Sequence, residues 1–215
     1  MHLDRLTAYL EGGRPPGARL GHPGCRDPRP PARAEPVMLP GLLYFATESL
    51  TWTGGRAFYD PDGDGRLPAR AYLLTLGQFS DIAAQEMLRR PGKDLDLTDV
   101  LHRGRAALGS GRYETLVRAD HLDGSPVLTF TAPWRSTDVP LNAPSAAYLR
   151  HIAAGIIAAH HWSARRTAEY LAGCPGAAGR WPVAEIEALV TESGSPGPPA
   201  GPKAPEGPAG RRRNR

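Results

Sequence analysis

Hydrophobic residues recur at helical spacing in the first dozen positions, where Leu3, Leu6, Tyr9 and Leu10 share one stripe and Gly12-Gly13 closes it. The pattern predicts a short helix. Residues 14–40 hold too much proline and arginine for a long helix and read as turns and extended edges. Strand-length runs follow at 41–46, 56–59 and 69–76, the last two separated by the sequence DPDGDG at 60–65, which reads as a hairpin turn. A helix is expected over 78–90, then strands over 113–118 and 127–131 around the turn Asp123-Gly124. Pro144-Ser145 opens a long amphipathic helix with Leu149, Ile152, Ala153, Ile156 and Ile157 on one face. Helical patterns recur at 166–171 and 183–190. Together these elements imply an α+β fold, a small mixed curved sheet or barrel with flanking helices.

Composition bounds this picture. Hydrophobic residues are 40% of the 215 and charged residues 22%, enough for one packed domain, expected over 1–190. No apolar run approaches the ~18 residues of a membrane span, and the N-terminus lacks a signal peptide's apolar stretch. A cytoplasmic protein without a membrane partner is expected. Cys25 and Cys174 are too few for a disulfide scaffold or a four-cysteine zinc site. Residues 194–210 hold 6 Pro and 5 Gly, and RRRNR follows, so 191–215 reads as a disordered basic tail. That tail carries Lys203 and four arginines against Glu192 and Glu206, which is +3 of the chain's net +4. The body is therefore nearly neutral, and no specific nucleic-acid partner is expected.

Most chemical motifs fail when tested. Asp60, Asp62, Asp64 and Gly65 are spaced like the start of a calcium loop, but the position of the bidentate glutamate is Ala71. The seven histidines show no metal-ligand spacing, and His160-His161 fall at a helix C-terminus, where a structural role is expected. There is no GxSxG elbow, P-loop or GxGxxG.

One residue breaks its local pattern. At about 100° per residue in the 78–90 helix, Ile82, Ala83 and Met87 fall within about 80° of Phe79, and Glu86 within about 20°. Asp81, Gln85 and Arg89 point away, as solvated residues should. A carboxylate aimed at a core is costly unless partnered. Two roles stay open: a structural pair with an arginine or a turn, or a general acid/base.

Four segments in order resemble the gamma-glutamylcyclotransferase-like family. Ser49, Trp52, Gly54, Gly55 and Ala57 are similar to its S-x-x-W-x-G-G-x-A stretch. The segment from Phe79 to Glu86 resembles its L-D-x-x-E helix, Gly111 to Glu114 with Asp123-Gly124 its tyrosine strand and turn, and Pro144 to Gly155 its closing helix. The resemblance spans roughly residues 1–172. It implies that Glu86 is the catalytic acid/base and that Trp52, Gly54, Gly55 and Tyr113 line a substrate pocket. The implied partner is a small-molecule γ-glutamyl substrate, cyclised to 5-oxoproline with release of an amine or amino acid, with no metal or organic cofactor. The family's opening strand and its Y-G-S-N turn have no counterpart after Met1. Two expectations follow: a start codon placed a dozen residues too late, or a truncated and inactive product. The alternatives are a catalytically silent small-molecule or protein-binding module on the same fold, and an amide hydrolase or deacetylase.

Overall fold

The computed structural model describes residues 3–14 and 21–192. The chain is α+β, with the order α1 (Leu3–Glu11), β1 (Arg33–Pro40), β2 (Leu42–Ala46), β3 (Arg56–Asp60), β4 (Arg66–Leu73), α2 (Leu76–Glu86), α3 (Thr98–Arg103), β5 (Arg105–Ala107), β6 (Thr115–Leu122), β7 (Ser125–Thr131), α4 (Ala146–His160), α5 (Ala164–Gly173) and α6 (Val183–Glu192). The expected tail lies outside the described residues from 193 on. No described helix is long and apolar enough to cross a membrane.

The first helix forms as its stripe predicts. Leu6, Tyr9 and Leu10 are buried and pack with Ile82 of α2, and Gly12 and Gly13 end the helix at φ 83° and 105°. The chain then doubles back, with Gly13 and His22 exchanging backbone hydrogen bonds at 3.0 and 2.7 Å. Residues 21–32 lie along α2, and they change the environment of that helix. Asp81 and Gln85, expected in solvent, are both buried. The Arg26 backbone N–H donates to Asp81 Oδ2 at 2.8 Å, its Nε at 3.0 Å, and the Gly92 N–H donates to Oδ1 at 3.0 Å. Gln85 Nε2 donates to the Gly24 carbonyl of the arm at 3.4 Å and to the Tyr9 carbonyl of α1 at 3.1 Å. A polar arm thus covers a polar helix face through hydrogen bonds, and hydrophobic periodicity is silent about such packing.

The helix α2 is sharply bounded. Thr75 and Gln78 make a reciprocal capping box at its start. At its end Met87 caps the last turn and Leu88 turns left-handed at φ 57°, so the helix stops at Glu86, four residues short of the sequence expectation.

The strands form three antiparallel sheets, β1-β4, β2-β3 and β5-β6-β7. Among the described residues every pairing is antiparallel and no barrel closes, so the expected single mixed sheet or barrel is not formed. The pairing of the first four strands is nested: Leu42↔Asp60 to Ala46↔Arg56 lies inside Arg33↔Leu73 to Pro40↔Arg66. The DPDGDG segment is accordingly a turn but not a hairpin, because β3 and β4 belong to different sheets. Asp60 is fastened elsewhere: both the N–H and the hydroxyl of Ser136 donate to its Oδ2 at 2.8 Å. Asp123-Gly124 is a two-residue hairpin turn with φ 48° and 77°, joining β6 to β7 at Leu122↔Ser125 as expected.

The main core lies under α4. Ser145 caps that helix, accepting from the Tyr148 N–H at 3.3 Å. Leu149, Ala153 and Ile156 pack with Phe45 of β2, Leu171 of α5 and Ile186 of α6. At the end of α4, His160 Nε2 lies 2.9 Å from the Ala69 carbonyl, and His161 is the left-handed cap. α3 and β5 had no distinct sequence signal; β1 falls in the stretch read as turns and extended edges and pairs with β4 in an unbroken register that includes Pro36↔Arg70.

Candidate active site

The site begins with a helical repeat. Arg5 and Tyr9 are four residues apart on α1 and therefore share one face. The Arg5 guanidinium donates to Tyr9 Oη at 3.0 Å and to Glu86 Oε1 at 3.2 Å, and the Tyr9 hydroxyl donates to the same Oε1. Glu86 Oε2 accepts no hydrogen bond from a described residue. The Glu86 side chain is 12% exposed and that of Arg5 23%. The carboxylate is therefore partly desolvated but charge-paired, which offsets its burial. Of the two roles left open by the sequence, the arginine pair is present in the fold.

Neighbouring groups respond to this cluster. Burial works against the Arg5 charge, yet Tyr9 and Glu86 together hold the guanidinium above its ordinary value. Burial and the Glu86 charge push Tyr9 up, so its hydroxyl stays protonated and donates. The His22 ring sits 3.9 Å from that of Tyr9, and burial draws its pKa down despite Glu86.

Arg5 and Glu86 open onto a cavity of about 660 Å³. Phe79 of α2, Tyr113, Phe130 of β7 and Tyr148 of α4 also line it. The rings form a chain: Phe79 to Phe130 at 6.3 Å and Phe130 to Tyr113 at 6.2 Å, edge to face. Tyr113 donates to the Ala57 carbonyl at 3.2 Å, which fixes its ring. Burial above all, with the Glu86 charge adding to it, raises its pKa, so it is a neutral wall residue.

The structure thus brings Glu86 and Tyr113 to one cavity and leaves Trp52, Gly54 and Gly55 off its lining. Trp52 stands behind the wall, stacked at 5.5 Å on Tyr148 and at 5.1 Å on His151, both of which do line the cavity. The glycines serve a close backbone approach. A Cβ on Gly55 would lie 1.9 Å from the Asn142 carbonyl oxygen, and one on Gly54 2.5 Å from that of Ala143. Their contact seats the loop before β3 against the entrance to α4, where Ser145 Oγ donates to the Trp52 carbonyl at 2.7 Å. Arg5, Tyr9 and Tyr148 were not singled out by sequence. The available signal was the i,i+4 pair of Arg5 and Tyr9 on a helix too short to stand alone.

Among the described residues, no group of three His, Cys, Asp or Glu side chains is placed to hold a metal ion. The chain matches no family model and no solved structure. Among curated proteins it is similar to histone deacetylase 5 of Arabidopsis thaliana, at 26% identity over 190 residues. The match covers 80% of this chain and 29% of that protein, so the chain spans less than a third of the relative's length.

Proposed function

We propose that the chain is a gamma-glutamylcyclotransferase-like enzyme with Glu86 as its general acid/base. The observation that carries this reading is the Glu86 carboxylate, held through Oε1 by Arg5 and Tyr9, at the wall of a cavity. In the reaction the free α-amine of a γ-glutamyl group attacks its own γ-carbonyl carbon. The new C–N bond closes the five-membered 5-oxoproline ring, and the bond from that carbon to the leaving nitrogen breaks. Glu86 takes the proton released by the attacking nitrogen and delivers it to the departing amine. Intramolecular attack needs orientation more than activation, which a walled cavity supplies. Arg5 and Tyr9 hold the carboxylate in place through one oxygen, and Oε2 is the oxygen that exchanges the proton.

The test is 5-oxoproline release from γ-glutamyl amides by the purified chain and by Glu86→Gln. Loss of turnover by ~10²-fold or more in a folded variant is expected; full turnover in the variant removes Glu86 from this role. Silence of the wild-type chain, folded by circular dichroism, would favour the binding module instead. The deacetylase name belongs to the relative, and no described donor cluster in this chain offers a residue with which to test it.

A further inference from the structure

Resting on the cyclotransferase reading of Glu86, we propose a class for the leaving group. It is an amine with an aromatic or branched aliphatic body and no carboxylate, rather than an amino acid or a dipeptide.

Three observations converge. The first is size. A cavity of about 660 Å³ falls within the ~300–1,000 Å³ of sites that enclose drug-sized molecules. A γ-glutamyl head fills only part of it, so the lining beyond Glu86 faces the leaving group.

The second is the chemistry of that lining. Phe79 precedes Glu86 by two helical turns, and its ring continues through Phe130 to Tyr113. Leu128 and Ile152 extend the apolar surface. Such a wall gains from covering an apolar body and offers a carboxylate nothing to replace its water.

The third is the state of the charges. Each arginine on the lining is engaged: Arg5 with Glu86, Arg33 with Asp123 at 2.8 Å, and Arg70 with the Ala158 carbonyl at the end of α4. Glu35, which lines the cavity together with Glu86, lies 3.9 Å from Arg33, so the two lining carboxylates already face two of the lining arginines. The γ-glutamyl head itself brings one α-carboxylate, which Arg70, held by a neutral carbonyl, can meet; a glycine or cysteinylglycine leaving group would bring a second, with no further lining arginine left for it.

Turnover and binding test this separately. For turnover, the full chain is given γ-glutamylbenzylamide, γ-glutamylisobutylamide, γ-glutamylglycine and γ-glutamylcysteinylglycine, with 5-oxoproline as readout. For binding, glutaric acid monobenzylamide and glutarylglycine, which lack the attacking amine, are titrated calorimetrically into the wild-type chain. The expected result is a kcat/KM at least about tenfold higher for both apolar amides, with the same order in affinity. Turnover with equal or reversed order overturns the leaving-group class and leaves the cyclotransferase reading standing. No turnover, with benzylamide binding preferred, overturns the cyclotransferase reading and upholds the apolar ligand class. Absence of both turnover and preference overturns both.

Discussion

The Tyr9 hydroxyl and the Glu86 carboxylate meet across 77 positions of sequence, one from the first helix and the other from the last residue of α2. Their contact makes the candidate acid/base a product of helix pairing, since Leu6, Tyr9, Leu10 and Ile82 form one buried cluster behind it. Removing the hydroxyl alone separates orientation from packing. In Tyr9→Phe the ring remains and Glu86 keeps only Arg5. A fall in kcat of about ten- to a hundredfold with little change in KM is expected, in line with the ~1.5–3 kcal/mol of a hydrogen bond to a charged group. Equal kcat in the two proteins would show that Tyr9 does not position Glu86.

Arg5 plays a different part, because it supplies the charge. Arg5→Ala leaves a mostly buried carboxylate without its cation and should lower stability by about 2–3 kcal/mol, with loss of turnover. The double variant Arg5→Ala with Glu86→Gln should recover part of that stability, as the uncompensated charge is gone. Denaturant melts of the four proteins measure the coupling; additive effects would mean that the pair is energetically silent.

The arm over α2 carries a pH dependence. Burial of Asp81 works against its charge, but hydrogen bonds from Arg26 and Gly92 outweigh it and hold the carboxyl below its ordinary 3.8. A depressed folded-state value means that the stabilisation is fully present above the unfolded value and is lost as pH falls through the folded one. Stability should therefore drop below about pH 4 in the wild type. In Asp81→Asn that drop should be smaller, from a baseline about 1–3 kcal/mol lower at pH 7. Thermal melts between pH 3 and 7 give the comparison, and parallel curves would contradict it.

Gly55 separates the structural from the binding reading of the loop before β3. A methyl at this position meets backbone, not a flexible side chain, so Gly55→Ala should lower the melting temperature by several degrees or prevent folding. A protein with unchanged melting temperature and raised KM would return Gly55 to the substrate pocket.

The legible parts of the fold were those set by local rules. The α1 stripe, the Asp123-Gly124 turn and the Ser145 cap each depend on residues within one or two turns of chain, and each is present. Glu86 was legible for the same reason, as a charge on an apolar helical face. Asp81 and Gln85 were misplaced because their partner is a polar arm some 55 to 60 residues away, joined by hydrogen bonds without periodicity. The DPDGDG turn was correctly placed but wrongly paired. Turn chemistry fixes where the chain reverses, while the choice of partner strand rests on contacts such as Asp60 with Ser136. Arg5 was not selected, since its i,i+4 pairing with Tyr9 on a short helix reads as a solvated face until a distant carboxylate is brought to it.

The nested strands impose an order of assembly. Pairing Leu42 with Asp60 brings Pro40 and Arg66 within reach, so the loop that β1 and β4 must close is already shortened and its entropic cost reduced. Weakening the inner pair, for example at the fully buried Phe45, should slow refolding. Weakening the outer pair should mainly hasten unfolding, so the route by which the two nested sheets are built also decides which of them comes apart first.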